Sequence, residues 1–183
     1  MQRYSFIFLL FLTLNSCVKY HYNEEGGVRV NNSKVFKYNK ERFRSMDKSQ
    51  IDTNAIYILS EPHPMWDSFW FIRFFPTGQV LFIPCDTIPP GSGLINNKNK
   101  GIQGYYILKD SKIKIDMFQE INYGQTGKYF GRVESDGNIL LFESRPETCF
   151  SIYPLVEKVT NKKNNSHWRK FPTDQLKHYK PDW

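Results

Sequence analysis

Residues 68–83 read Ser68-Phe69-Trp70-Phe71-Ile72-Arg73-Phe74-Phe75-Pro76-Thr77-Gly78-Gln79-Val80-Leu81-Phe82-Ile83. Two runs of aromatic and β-branched residues, each of strand length, flank a Pro-Thr-Gly step. Such side chains suit a pleated surface. With Phe75 opening the turn, Pro76 pre-sets φ at the second position, and Gly78 accepts the left-handed conformation that closes a short hairpin. Alternation puts Phe69, Phe71, Arg73 and Phe75 on one face, with Trp70, Ile72 and Phe74 on the other. Both faces are apolar, so the spacing predicts a central hairpin covered on two sides.

Further hairpins follow. Ile113, Ile115 and Met117 alternate with Lys112, Lys114 and Asp116. That pattern predicts an antiparallel strand with one wet face, reached from Tyr105-Tyr106-Ile107-Leu108 through a turn at Asp110-Ser111. Residues 128–143 turn at Asp136-Gly137, a strong hairpin step. Tyr129, Gly131 and Val133 form an inner face there, with Lys128, Arg132 and Glu134 outward. Strands are also expected at Ala55–Leu59 and Phe150–Val156. About eight strands in successive hairpins predict an all-β fold, an up-and-down antiparallel β-barrel, with a β-sandwich as the alternative. Short peripheral helices are expected at Asn39–Met46 and from Thr173, whose hydroxyl can cap the next residues.

Upstream, the chain opens with Arg3, an apolar run from Phe6 to Leu14, and Asn15-Ser16-Cys17. That order is the grammar of an export signal. This nine-residue run falls short of the ~20 apolar residues that span a bilayer. Leu14-Asn15-Ser16-Cys17 resembles a bacterial lipobox, which implies lipidation at Cys17 and removal of residues 1–16. Multiple acyl chains would anchor the protein stably without a spanning helix. Residues 17–34 are polar and Gly-containing and read as a flexible tether, 35–157 as the barrel domain, and 158–183 as a C-terminal extension. Together with the hairpin order and the Gly-Tyr-Tyr entry at 104–106, the lipobox gives a chain that resembles the small lipocalin-like lipoproteins of Bacteroidota, without the Gly-x-Trp signature of lipocalins proper. The resemblance implies an exported protein, lipid-anchored to the cell envelope at the outer membrane.

Cys85 and Cys149 remain after lipidation. An oxidising compartment would allow them to bridge, and two buried thiols are the alternative reading. Glu61-Pro62-His63-Pro64-Met65-Trp66-Asp67 gathers metal-ligating residue types, but its two prolines hold neighbours apart, so a structural turn is expected. No nucleophile elbow, phosphate loop, zinc spacing or dinucleotide fingerprint occurs in the sequence. No catalytic residue, metal site or cofactor is therefore expected, and the chain reads as non-catalytic.

Residues 88–101, rich in Pro, Gly and Asn, predict a long loop that is either a gate or a plain connector. From Lys158 onward, seven Lys or Arg face two Asp, interleaved with Trp168, Phe171, Tyr179 and Trp183. Export argues against nucleic acid as the partner and leaves attraction to anionic lipid head groups as the alternative; aromatics covering the barrel wall beneath solvated charges are the expected arrangement. Asp86-Thr87-Ile88 matches a short glycosylation pattern of Bacteroidota. The sequence predicts a monomer anchored through Cys17. Its barrel is expected to bind a small apolar or amphipathic ligand, lined by Phe69, Phe71, Tyr106, Ile113, Ile115 and Tyr129, or an envelope partner. The alternative is an inhibitor or immunity-type lipoprotein that blocks a hydrolase or toxin.

Overall fold

The computed structural model describes residues 19–36, 38, 50–62, 68–120, 124–143, 165–181 and 183. Ten strands run in chain order: β1 (Tyr20–Tyr22), β2 (Val28–Val30), β3 (Ala55–Leu59), β4 (Phe69–Phe74), β5 (Gln79–Cys85), β6 (Ile102–Lys109), β7 (Lys112–Gln119), β8 (Gln125–Val133), β9 (Ile139–Glu143) and β10 (Ser166–Pro172). One helical turn, α1 (Ser92–Ile95), lies between β5 and β6. Strands β3 to β10 follow one another as antiparallel neighbours, and β10 pairs with β3 to close the ring. The result is a closed eight-stranded up-and-down antiparallel barrel. It is compatible with the lipocalin-like resemblance, and closure leaves no edge among the eight strands.

The turns form as their residues dictate. Gly78 N–H donates to Phe75 O at 3.0 Å, and Gly78 sits at φ +87°. Asp136-Gly137 repeats this design: Gly137 N–H donates to Glu134 O at 2.9 Å with φ +83°. Asp110 and Ser111 both take positive φ in a two-residue turn between β6 and β7. These three tight turns share one end of the barrel. At the opposite end lie the strand ends that lead into the longer connections, of which 86–101 lies wholly within the described residues.

Alternation then sorts the side chains. Ile72, Phe74, Val80, Phe82, Tyr106, Leu108, Ile113, Ile115, Met117, Ile139, Leu141 and Trp168 point inward and form one core cluster. A second cluster lies on the outer wall of β3 to β5: Ile56, Ile58, Phe71, Phe75, Leu81 and Ile83, covered by Ile95 of α1 and by Leu176. A third joins Val28, Val30, Phe36 and Tyr38 to Tyr105 and Phe118 on the outside of β6 and β7.

Four expectations change here. The closing strand β10 comes from residues 158–183, read as an extension, because Trp168 alternates inward while Arg169 and His167 stay exposed. Residues 19–34, read as tether, hold the β1–β2 hairpin; Val28 and Val30 are buried, and Val28 bridges Ile102 of β6. The face of β7 expected to be wet is covered, leaving Lys114 4% and Asp116 0% exposed, with the Lys114 ammonium 5.8 Å from the Tyr38 ring centroid. At Thr173 there is a turn rather than a helix: its Oγ1 accepts from Gln175 N–H at 3.2 Å and the following residues are irregular. The expected elements Asn39–Met46 and Phe150–Val156 lie outside the described residues.

Candidate functional site

Eight strands enclose a lumen just wide enough for side chains to fill. In this barrel aromatic rings occupy it from both ends. Near the tight turns, Phe74 lies 5.3 Å from Tyr57 and 4.8 Å from Tyr106, both edge-on. Each phenol is fixed by backbone: Tyr106 OH donates to Phe75 O at 3.1 Å, and Tyr57 OH accepts from Asp52 N–H at 3.0 Å. Burial pushes the Tyr57 phenol up to about 12 and raises that of Tyr106 as well. Neither ionises in the physiological range, so this floor is neutral.

Towards the long connections, Phe82 of β5 touches two rings at once. Trp168 of β10 is 5.8 Å away and Tyr129 of β8 is 5.7 Å away. Each of those strands is three steps from β5 around the ring, so the Phe82 side chain bridges the lumen. Trp70, Ile102 and Tyr129 are partly exposed above it. Both indoles are held the same way: Trp70 Nε1–H donates to Ser68 Oγ at 3.1 Å, and Trp168 Nε1–H donates to Ser166 Oγ at 2.9 Å. A serine two residues before an inward tryptophan lies on the same face of its strand. This Ser-x-Trp spacing occurs twice and is the signal that sequence reasoning passed over.

Of the six proposed lining residues, the structure brings Tyr106, Ile113, Ile115 and Tyr129 together inside the barrel. Phe69 and Phe71 pack instead in the outer cluster, with Leu81 and Ile83. The inward positions of β4 belong to Trp70, Ile72 and Phe74.

The outer wall has its own fastening, also unforeseen. Arg73, 3% exposed, donates to Ile95 O at 2.7 Å, to Tyr179 OH at 3.3 Å and to Lys177 O. Its guanidinium lies 4.5 Å from the Tyr179 ring centroid and 4.9 Å from that of Phe75. Phe75 in turn meets Trp183 edge-on at 6.3 Å, and Arg29 stacks on Trp183 at 4.6 Å. Two adjoining rings, Phe75 and Trp183, thus lie between the cations Arg73 and Arg29, and these contacts strap the C-terminal residues across β4, β5 and β6. Burial lowers the Arg73 pKa, which Tyr179 partly offsets. The guanidinium still stays charged, as arginine does in proteins.

Cys85 is a free, buried thiol on this wall, and burial raises its pKa to about 11, with Asp86 adding to the shift. A thiol held protonated is a poor nucleophile. Cys149 and Cys17 lie outside the described residues, as do His63 and Asp67. Thr87 and its neighbours Asp86 and Ile88 are exposed. Among the described residues, no three His, Cys, Asp or Glu side chains gather as metal ligands.

At the tight-turn end an open groove of about 610 Å³ is lined by Asp52, Asn54 and Phe171 to Gln175. Lys170 Nζ lies 2.8 Å from Asp52 Oδ2 beside it. That hydrogen-bonded ammonium holds the Asp52 carboxyl below its usual range. The groove is open and of mixed lining, with Phe171 and Pro172 beside its polar residues, unlike the enclosed apolar sites that hold lipophilic ligands.

The molecule therefore combines a lumen crossed by aromatic rings with the described connection 86–101 at the end opposite the tight turns. No family model, curated protein or solved structure matches this chain.

Proposed function

We propose that this protein is a lipid-anchored lipoprotein of the bacterial cell envelope that acts without catalysis, by binding an envelope partner through the end of its barrel opposite the tight turns. The Leu14-Asn15-Ser16-Cys17 sequence supports the anchor. The observation that supports a partner over a luminal ligand is Phe82, whose ring meets both Trp168 and Tyr129 and so crosses the lumen where a ligand would sit. An inhibitor or immunity-type role is one form of this reading, since a rigid barrel with a packed core presents loops to a hydrolase or toxin without admitting substrate.

Two measurements test it. Cells fed labelled fatty acid should incorporate label into the parent and not into Cys17→Ser. The purified soluble domain, soaked with envelope lipid extract, should show only the mass of the protein in native mass spectrometry. Absence of label from the parent removes the anchor. A stoichiometric lipid retained by the domain replaces the partner reading with the ligand one.

A further inference from the structure

Strand β1 starts at Tyr20, three residues after Cys17. An extended chain covers at most about 3.6 Å per residue, so a lipid on Cys17 lies within roughly 11 Å of Tyr20. That is about the thickness of one packed strand layer. A barrel moored so closely has little freedom to lift off the bilayer, provided that the hairpin itself stays attached.

The hairpin is well fastened. Val28 N–H donates to Gly101 O at 3.3 Å. The Arg29 guanidinium bridges Val28 O, Gly101 O and Lys98 O at 2.7, 3.0 and 2.5 Å. Tyr20 lies on Phe118 at 4.9 Å. A side chain at Gly27 would overlap the Asn99 carbonyl, so the hairpin turn sits directly on backbone. The attachment point is therefore fixed on the β6–β7 side of the barrel.

The exposed groups around it are those that favour a bilayer surface. Tyr22 is 57% exposed, the most exposed of the large hydrophobic residues described. Tyrosine sits well at the level of lipid head groups. Lys19 and Lys34 are both exposed, and Asn31 N–H donates to Lys19 O at 3.0 Å, which brings the Ser33–Val35 turn beside the start of β1. Cations at this level are drawn to anionic lipid. Of the nearby carboxylates, Glu120 accepts from Tyr22 OH and keeps its charge beside it, whereas Glu25 is held by Asn97 and Asn99 at the far, turn end of the hairpin, next to Glu24.

Resting on the lipid-anchor reading, we infer that the β1 edge of the hairpin, with Lys19 and His21 on one face of the strand, exposed Tyr22 on the other and Lys34 beside its start, is the membrane-facing side of the barrel. The opposite wall, around β10, faces away, because β10 lies four strands from β6 in the eight-membered ring.

The test uses the full acylated protein in vesicles of phosphatidylcholine and phosphatidylglycerol with brominated acyl chains, which quench nearby indoles. Tyr22→Trp is compared with Phe171→Trp, a 39% exposed position on β10, each after subtraction of the parent signal. Quenching at position 22 should exceed that at 171 by at least about twofold. It should weaken when Lys19→Glu and Lys34→Glu are added. Equal quenching at the two positions, in protein that carries acyl label, overturns the surface assignment and leaves β1, the terminal strand of the sheet among the described residues, to a protein strand. Absence of acyl label instead overturns the anchor beneath it.

Discussion

Gly131 and Gly127 lie four residues apart on β8 and show how differently two glycines can be constrained. A methyl group on Gly131 would overlap the Leu140 carbonyl oxygen and press on a Leu141 methyl. Both belong to the paired strand β9, opposite which Gly131 is registered. Backbone in a closed barrel has no direction in which to retreat. At Gly127 the added carbon meets only the amide of Gln119, the far end of a flexible side chain. Overpacking typically costs about 1–3 kcal/mol. Gly131→Ala should therefore lose about 2–3 kcal/mol in urea unfolding, and Gly127→Ala less than about 1 kcal/mol. Equal losses would mean that β9 yields as easily as a side chain. The inward placement of Gly131 was legible from the alternation of Tyr129 and Val133. The close approach of β9 was not, because one strand's pattern carries no information about how near its neighbour's carbonyls come.

Among elements, those whose residues encode their own turns were the legible ones. Phe75-Pro76-Thr77-Gly78, Asp110-Ser111 and Asp136-Gly137 each close a hairpin between strands that touch in sequence, so pairing follows from local chemistry. β10 is different. Its partners β3 and β9 are joined to it by hydrogen bonds from residues distant along the chain, and Ser166-His167-Trp168-Arg169-Lys170-Phe171-Pro172 offers charge where an apolar alternation was sought. Only Trp168 enters the core from it. The hydrogen bond from Lys170 N–H to Asn138 Oδ1, at 2.7 Å, and the Lys170–Asp52 pair fasten its outer side. The Asp52 carboxyl is depressed chiefly by its hydrogen bond to Lys170, against the opposing effect of burial. A carboxylate whose folded pKa lies below its unfolded value of about 3.9 contributes stability at higher pH, and that stability is lost as pH falls through the folded value. Asp52→Asn keeps an oxygen for Asn54 N–H, which donates to Oδ1 at 2.9 Å in the parent, and removes only the charge. Both partners are about one-third exposed, so the loss should be at most about 1 kcal/mol at pH 7. Unfolding curves of parent and variant should converge as pH drops below the folded-state carboxyl value. A gap that persists into acid would assign the effect to packing rather than to the ion pair.

At the scale of the whole molecule, the question is what the lumen holds. Sequence alternation identifies the two faces of β4, but with both apolar it assigns the face of Phe69 and Phe71 to the lumen, and the structure puts that face outside. The choice was made by the strap of residues 173–183 and by α1, which cover Phe71 and Phe75 from outside and leave Ile72 and Phe74 to the interior. The same strap gives buried Arg73 its partners, a role invisible while Arg73 was read as one residue of a strand. What remains inside is a stack of rings from floor to mouth, with Phe82 spanning the middle. If that ring fills the lumen, removing it should make a cavity that the parent lacks. Truncating a buried phenylalanine costs about 3–5 kcal/mol, and the space left by Phe82→Ala would be lined by Trp168, Tyr129 and aliphatic side chains. Apolar cavities of that kind stay dry and take up small apolar molecules. Phe82→Ala should therefore be less stable than the parent by about that amount, and benzene should raise the melting temperature of the variant while leaving the parent unchanged. A parent stabilised by benzene as much as the variant would mean that the lumen is open from the start, and the luminal ligand would then displace the loop-bound partner as the protein's target.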